Sequence, residues 1–202
     1  LPQTSIILPD GGYNLSTANI GLKVIKVNQA VCGNSSERYT SSTASAVKTF
    51  QRTHGLGVTG IVDITTWKAM GYSEYDWYNL GTYRTPIKVF NGATREYRIN
   101  AMLQTAAEYA SAGTKYKVGC SGTPGTYVDC SGLIYQCLYA AGINPASNIV
   151  DHALAIYEYT SANLAADNRL GIEVASYDLQ PGDLVFYAKN GKSSVCHIAI
   201  YA

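Results

Sequence analysis

One cysteine lies where a thiol can act as a nucleophile. Asp129 is a residue type that helix N-caps prefer, and the apolar residues after it recur at helical spacing, so Cys130 falls in the first turn of a predicted helix. Free N–H groups and the positive dipole end at a helix start favour a thiolate, and they can also hold the oxyanion of an acyl transfer. Ser131 and Gly132 are small, which leaves space for a substrate carbonyl beside the sulfur.

A buried, inert thiol is the alternative interpretation of Cys130, because free cysteines are often core residues. Cys137 illustrates that alternative, since it lies on nearly the same helix face within the apolar stripe that ends at Gly142. Cys137 lacks the polar surroundings of a helix start. The contrast favours Cys130 as the catalytic thiol and Cys137 as a core residue.

A cysteine nucleophile generally works with a histidine within reach. His197 lies in an alternating segment, residues 196–201, that predicts a strand. The period of two places His197 on the face opposite the side chains of Cys196, Ile198 and Ile200, which form the apolar, core-facing side. That position is typical of a cleft residue, although an ordinary strand histidine that faces water gives the same pattern.

The other histidines and the cysteines form no metal-binding pattern. His152 begins a predicted helix, where exposure is expected, and His54 ends another helix, where it is expected to cap the last turn. There is no C-x-x-C pair, so we predict no metal and no other cofactor. Five cysteines leave at least one unpaired unless two chains join; a disulfide among the others stays open, although buried thiols are favoured. The cysteines are Cys32, Cys120, Cys130, Cys137 and Cys196.

The composition argues against two broad classes of protein. Charged residues make up 14% of the 202 residues and the net charge is +1, so no basic surface for nucleic acid is predicted. No run of residues is long and apolar enough to predict a membrane span. Seventeen tyrosines stand against three phenylalanines, and a tyrosine-rich surface suits sugar or peptide ligands. Such a surface is also common among secreted proteins in general, which explains the tyrosines at least as well. No signal peptide is visible and the chain does not begin with Met, so export is inferred from function alone.

The spacing of apolar residues predicts a helical first part and a mixed second part. Residues 1–19 are irregular with a turn at 9–12, and residues 73–94 predict a linker with a strand near 87–90. Asp63 is the predicted N-cap of a short third helix. Helices are predicted near 20–33, 43–54, 63–71, 99–110, 130–142 and 151–159, and strands at 184–188 and 196–201. Because most helices precede the strands, the pattern favours an α+β fold over alternating βαβ units.

Four motifs in a fixed order carry a family resemblance. They are Tyr116-x-x-Gly119, Asp129-Cys130-Ser131-Gly132-Leu133, the Leu179–Phe186 segment Leu-Gln-Pro-Gly-Asp-Leu-Val-Phe, and His197-Ile-Ala-Ile-Tyr201. Residues 96–202 thereby resemble the NlpC-type family of papain-like bacterial cell-wall peptidases. Through residues 46–56 and 58–63, the segment 20–72 resembles the small three-helix peptidoglycan-binding domain.

These resemblances imply an α+β architecture of two modules. Residues 1–74 are expected to form the three-helix peptidoglycan-binding domain, residues 75–95 a linker, and residues 96–202 a papain-like catalytic domain. In that domain a helix-borne cysteine packs on an antiparallel sheet. The implied partner is peptidoglycan, both glycan and stem peptide, and the implied location is outside the cell or in the cell wall.

The resemblance also implies a role for each site residue. Cys130 is the nucleophile and His197 its general base, while Tyr116, Asp129 and Ser131 hold the free amine end of the substrate. The family's usual substrate is the stem peptide, cut between γ-linked D-glutamate and the diamino acid. Two alternatives stay open: a binding protein whose peptidase domain has lost activity, and a related papain-like amidase or acyltransferase.

Two departures from the family pattern affect the expected site. Cys120 replaces a second glycine that often follows Gly119, which predicts a differently shaped loop beside the nucleophile. The family's third catalytic residue, which orients the histidine, follows the strand after His197, and the sequence ends at Ala202. We expect an incomplete chain and assign no third catalytic residue. Two alternatives stay open: an internal residue such as Asp183 takes the place of the third residue, or the enzyme is impaired.

Overall fold

A computed structural model describes residues 14–145, 160–191 and 193–202 of the chain. Within these ranges the helices are α1 Leu22–Cys32, α2 Ser41–Thr53, α3 Ile64–Ala69, α4 Glu74–Asn79, α5 Arg95–Ser111, α6 Cys130–Ala140 and α7 Ser161–Ala165. The strands are β1 Lys115–Tyr116, β2 Tyr127–Val128, β3 Leu184–Ala188 and β4 Val195–Ile200, and a 3₁₀ turn spans Ser176–Asp178. The predicted turn at 9–12 and helix at 151–159 lie outside the described residues.

The first three helices form the helical unit that the sequence predicts. Their apolar faces share one buried core with Leu15, which precedes α1, and Val62, which precedes α3; these two residues pair through their backbones. Asp63 caps α3 as expected, since its Oδ1 accepts the Thr66 N–H at 2.7 Å. The central core residues are Val24, Val27, Val47 and Trp67.

A short helix, α4, forms where the sequence predicts only a linker. Ser73 caps it by accepting the Asp76 N–H at 3.0 Å, and Trp77 is its single buried side chain. The Trp77 ring packs edge-on against Trp67 with centroids 5.4 Å apart. A helix of less than two turns with one buried residue carries no apolar period, so tertiary packing and not sequence pattern defines it.

The second part of the chain is α+β, as predicted. Helix α6 packs between α5 and strand β4, and its apolar side chains share a core with Met102 and Ile198. The predicted strand near 87–90 is wrong: this segment contains no strand, and its Lys88 N–H donates to the Ala140 carbonyl at the end of α6. The backbone there pairs with a helix end and not with a strand.

Strands β3 and β4 form an antiparallel pair with one irregularity. Tyr187 lies opposite His197, yet the next pair joins Ala188 to Val195, so Cys196 is an extra residue on β4. Such a bulge turns a side chain away from the regular alternation. Ile198 is buried as expected, but the prediction that Cys196 faces the core is wrong because its side chain is exposed.

All five cysteines are free thiols. Cys120, Cys130 and Cys137 are buried, Cys32 is half-buried and Cys196 is exposed. The question of a disulfide is thereby answered, and most thiols are buried as expected. In the described ranges, no helix combines the length and the apolar character needed to cross a bilayer.

Candidate active site

The start of α6 is built around the carboxylate of Asp129, which confirms the predicted cap. Its Oδ1 accepts the Gly132 N–H at 2.7 Å, and its backbone carbonyl accepts the Leu133 N–H at 3.0 Å. The N–H groups of Cys130 and Ser131 have no acceptor among the described residues. Two donors at the positive end of the helix therefore remain beside the Cys130 sulfur, where they can stabilise negative charge.

The same carboxylate also fixes the loop of residues 117–122 against the helix. Asp129 Oδ2 accepts the Gly119 N–H at 2.7 Å, and the Asp129 N–H donates to the Cys120 carbonyl at 2.8 Å. The Ser131 hydroxyl donates to Oδ1 at 2.9 Å. Asp129 is only 1% exposed, so these hydrogen bonds are shielded from water. The loop, the cap and the nucleophile form one hydrogen-bonded unit.

Tyr116 lies against the Cys130 sulfur. Strand β1 pairs with β2 so that Tyr116 lies opposite Val128, next to Asp129. Its hydroxyl donates a long hydrogen bond to Cys130 Sγ at 4.0 Å. Partial burial of the phenol, together with the adjacent Cys130 and Asp129, raises the pKa of Tyr116 to about 12. The phenol therefore stays protonated near neutral pH and can donate to a thiolate.

His197 lies on β4, which packs against α6, and no hydrogen bond joins it to this unit among the described residues. Its imidazole is exposed and lies against the Tyr187 ring, with centroids 5.7 Å apart. The following residue, Ile198, packs in the same apolar cluster as Cys130, whose side chain is 7% exposed. Within the described ranges, no hydrogen bond joins the imidazole to Cys130 Sγ. The competing His152 lies outside the described residues.

Asp183 is not placed to orient His197. Its carboxylate accepts the Gln180 N–H at 2.8 Å and pairs with Arg95 at 3.3 Å, which stabilises the turn before β3. His197 lies opposite Tyr187, and Tyr187 is four residues after Asp183 in the chain. That spacing corresponds to roughly 13 Å of strand. The structure thus gives Asp183 a role in the turn and removes it as the histidine's partner.

The order and identity of these parts agree with comparisons against known families. Residues 26–70 match the peptidoglycan binding domain, and residues 113–202 match the NlpC/P60 family. Residues 113–202 thus correspond to an NlpC/P60 domain. No curated protein and no solved structure matches the chain. Members of the NlpC/P60 family are generally cysteine peptidases, and the two matches together support a cell-wall hydrolase or binding role.

Gly132 serves the packing of the NlpC/P60 domain and does not create space for a substrate. A Cβ at this position would lie 2.2 Å from the Cys120 carbonyl oxygen and 3.1 Å from Ser121 Cβ. Ser131 is also fully buried. The prediction that these small residues leave room for a substrate carbonyl is wrong, because the 117–122 loop fills that room.

Gly132→Ala is expected to lower the free energy of unfolding by about 3 kcal/mol, since backbone must move to admit the methyl group. Urea unfolding followed by circular dichroism measures the loss. Gly57→Ala is the matched control, because a Cβ there meets nothing within 4 Å, and its midpoint is expected to stay within about 0.5 kcal/mol of wild type. Equal midpoints for the two variants would contradict the close approach at Gly132.

Cys120 marks a contact that the sequence does not predict. Its side chain is fully buried and packs against Leu22 and Ile25 of α1, so the loop of the NlpC/P60 domain touches the peptidoglycan-binding domain. Burial raises the pKa of this thiol, which makes it inert near neutral pH. A cysteine beside Gly119 is thus a packing residue. Only a contact between segments about a hundred residues apart could reveal this role.

Proposed function

We propose that the protein is a cysteine endopeptidase that cleaves the stem peptides of peptidoglycan. The observation that carries the proposal is the position of Cys130, which lies at the first residue of α6 in contact with the Tyr116 hydroxyl, within the domain that matches NlpC/P60. The bond proposed for cleavage joins the γ-carboxyl of D-glutamate to the diamino acid. Such an enzyme acts outside the cell, in the wall that its N-terminal domain binds.

The proposed reaction is acyl transfer through a thioester. The Cys130 thiolate attacks the γ-glutamyl carbonyl, and the N–H groups of Cys130 and Ser131 donate to the oxyanion. His197 gives a proton to the nitrogen of the diamino acid as the C–N bond breaks. It then takes a proton from water as hydroxide adds to the thioester, and release of the acid regenerates the thiolate. For these steps the imidazole must come within hydrogen-bonding reach of Sγ, which is common when a substrate closes a site.

We propose that Tyr116, Asp129 and Ser131 hold the free amine end of the substrate. Tyr116 lies against Sγ, and Ser131 is hydrogen-bonded to Asp129. Tyr116 is exposed and can contact the amine directly, whereas Asp129 and Ser131 are at most 1% exposed. The negative charge of Asp129, just behind Tyr116, favours substrates with a free amine end. The peptidoglycan-binding domain increases the local concentration of stem peptide by tethering the enzyme to the wall.

Digestion of purified sacculi tests this function directly. Wild-type protein is expected to release fragments with a new free amine on the diamino acid and a free γ-carboxyl on glutamate, both identified by mass spectrometry. An amidase that cuts elsewhere would give fragments of different mass and would refute the proposed bond. Release of no fragment at all would refute an endopeptidase.

A binding-only protein is the second candidate. The observation that favours it is the lack, among the described residues, of a hydrogen bond from His197 to the thiol. In that case the protein would sediment with sacculi but release no new amine. The digestion assay and a co-sedimentation assay on the same sample therefore separate the two candidates.

A further inference from the structure

Helix α1 presents two apolar faces to two different partners. Val24 and Val27 point into the core of the peptidoglycan-binding domain. Leu22 and Ile25 point away from that core and pack against Cys120 of the NlpC/P60 domain, together with Leu80 and Tyr127. All four α1 side chains are at most 9% exposed. The helix is therefore buried on both sides, which a freely tethered domain would not require.

The edge of this contact is held by charge and by close backbone approach. Lys117 pairs with Glu37 at 3.4 Å, and both side chains are partly shielded from water. Gly119 has a φ of 74°, and a Cβ there would lie 2.9 Å from Ile20 Cγ2. Three residues of the 117–122 loop, Lys117, Gly119 and Cys120, thus lie close against the N-terminal domain.

The other side of the same loop holds the nucleophile's helix. The Gly119 N–H and the Cys120 carbonyl are hydrogen-bonded to Asp129. The Cys120 carbonyl also lies so close to Gly132 that no side chain fits at position 132. The loop therefore lies between α1 and the start of α6. Movement of α1 away from the loop would remove the support behind Asp129.

We propose that α1 of the peptidoglycan-binding domain is a positioning element of the active site. Leu22 and Ile25 pack against Cys120 and thereby hold the 117–122 loop in place. That loop in turn positions Asp129 and the first turn of α6. This inference rests on the proposed peptidase function for its kinetic consequence. It differs from tethering, because a tether assists only on the polymeric wall, whereas positioning also acts on a small soluble peptide.

Ile25→Ala in the full chain, assayed on a soluble stem peptide, tests the proposal. We expect kcat/KM to fall about tenfold, because a small misplacement of the site lowers the rate strongly. Binding to sacculi is expected to be unchanged. Wild type is expected to favour the peptide with a free amine over its N-acetylated form, and Ile25→Ala to lose part of this preference. Ile25→Leu is expected to restore both rate and preference.

Val27→Ala is the matched control, since it removes buried methyl groups from the same helix on its other face. Its activity on the soluble peptide is expected to equal that of wild type at a temperature where both variants are folded. Leu22→Ala is a second interface variant, milder because Leu22 is already 9% exposed. If Ile25→Ala and Leu22→Ala are both as active as wild type, the inference is overturned and the peptidase function stays intact. The same holds if Val27→Ala loses as much activity as Ile25→Ala.

Amide hydrogen exchange gives a readout that needs no catalysis. Ile25→Ala is expected to speed exchange at residues 117–122 and at the start of α6, while Val27→Ala leaves these amides as in wild type. Unchanged exchange in Ile25→Ala would overturn the positioning role even if the protein cleaves nothing. Inactive wild type with faster exchange in Ile25→Ala would refute the peptidase and retain the structural coupling.

Discussion

Replacing Cys130 with alanine is expected to lower kcat for stem-peptide cleavage at least about 10⁴-fold. The substitution removes the atom that forms the thioester, and loss of a nucleophile leaves only the contributions of binding and the oxyanion donors. Cys130 is only 7% exposed, and the smaller methyl group of alanine fits the same place, so we expect the fold to tolerate the change. Fragment release from sacculi, followed by mass spectrometry, measures the loss.

Cys137→Ala is the internal control for that experiment. It is the same chemical change on the same helix, at a thiol that is fully buried and whose pKa burial raises to about 12. We expect a loss of about 1 kcal/mol in the free energy of unfolding, with unchanged kcat. Product that persists in Cys130→Ala, or activity that disappears equally in Cys137→Ala, would remove Cys130 from the mechanism.

Asp129→Asn is expected to destabilise the fold by about 3 kcal/mol despite its nearly identical shape. Both carboxylate oxygens accept backbone N–H groups, Oδ1 from Gly132 and Oδ2 from Gly119. An asparagine has one oxygen, so its amide nitrogen would face one of these donors and leave it unsatisfied in a buried place. Urea unfolding followed by circular dichroism reports the change.

Asp63→Asn shows what the same substitution does at an ordinary cap. Asp63 accepts the Thr66 N–H through Oδ1, and asparagine is as good an N-cap as aspartate. We therefore expect a change below about 0.5 kcal/mol at this site. If the two variants unfold at the same urea concentration, the two-sided role of Asp129 is disproved.

Local sequence signals predict the helices that position the site. The apolar stripes of α1, α5 and α6 and the caps Asp63 and Asp129 depend on neighbours within one or two turns, so their meaning can be read along the chain. Helix α4 depends on the packing of Trp77 against Trp67, and no local sequence pattern predicts it. The bulge at Cys196 similarly depends on how β4 pairs with β3.

The sequence nominates the members of the candidate site but does not predict the packing that supports them. Motif order selects Cys130 and its neighbours, because residue type and spacing carry the chemistry. The roles of Gly132 and Cys120 depend on a loop that meets both α6 and α1, which are distant in sequence. The geometric relation of His197 to the thiol likewise depends on tertiary packing, and its catalytic role is a proposal that kinetics can test.

The absence of any S–S bridge among the five cysteines has a practical meaning for the proposed thiol chemistry. A nucleophilic sulfur must be kept from oxidation, and the usual protection is an excess of a small reductant. In many exported proteins that treatment would weaken the scaffold by cutting its cross-links. Here apolar packing and the buried hydrogen bonds of Asp129 hold the chain together, so conditions that preserve the sulfur leave the scaffold untouched.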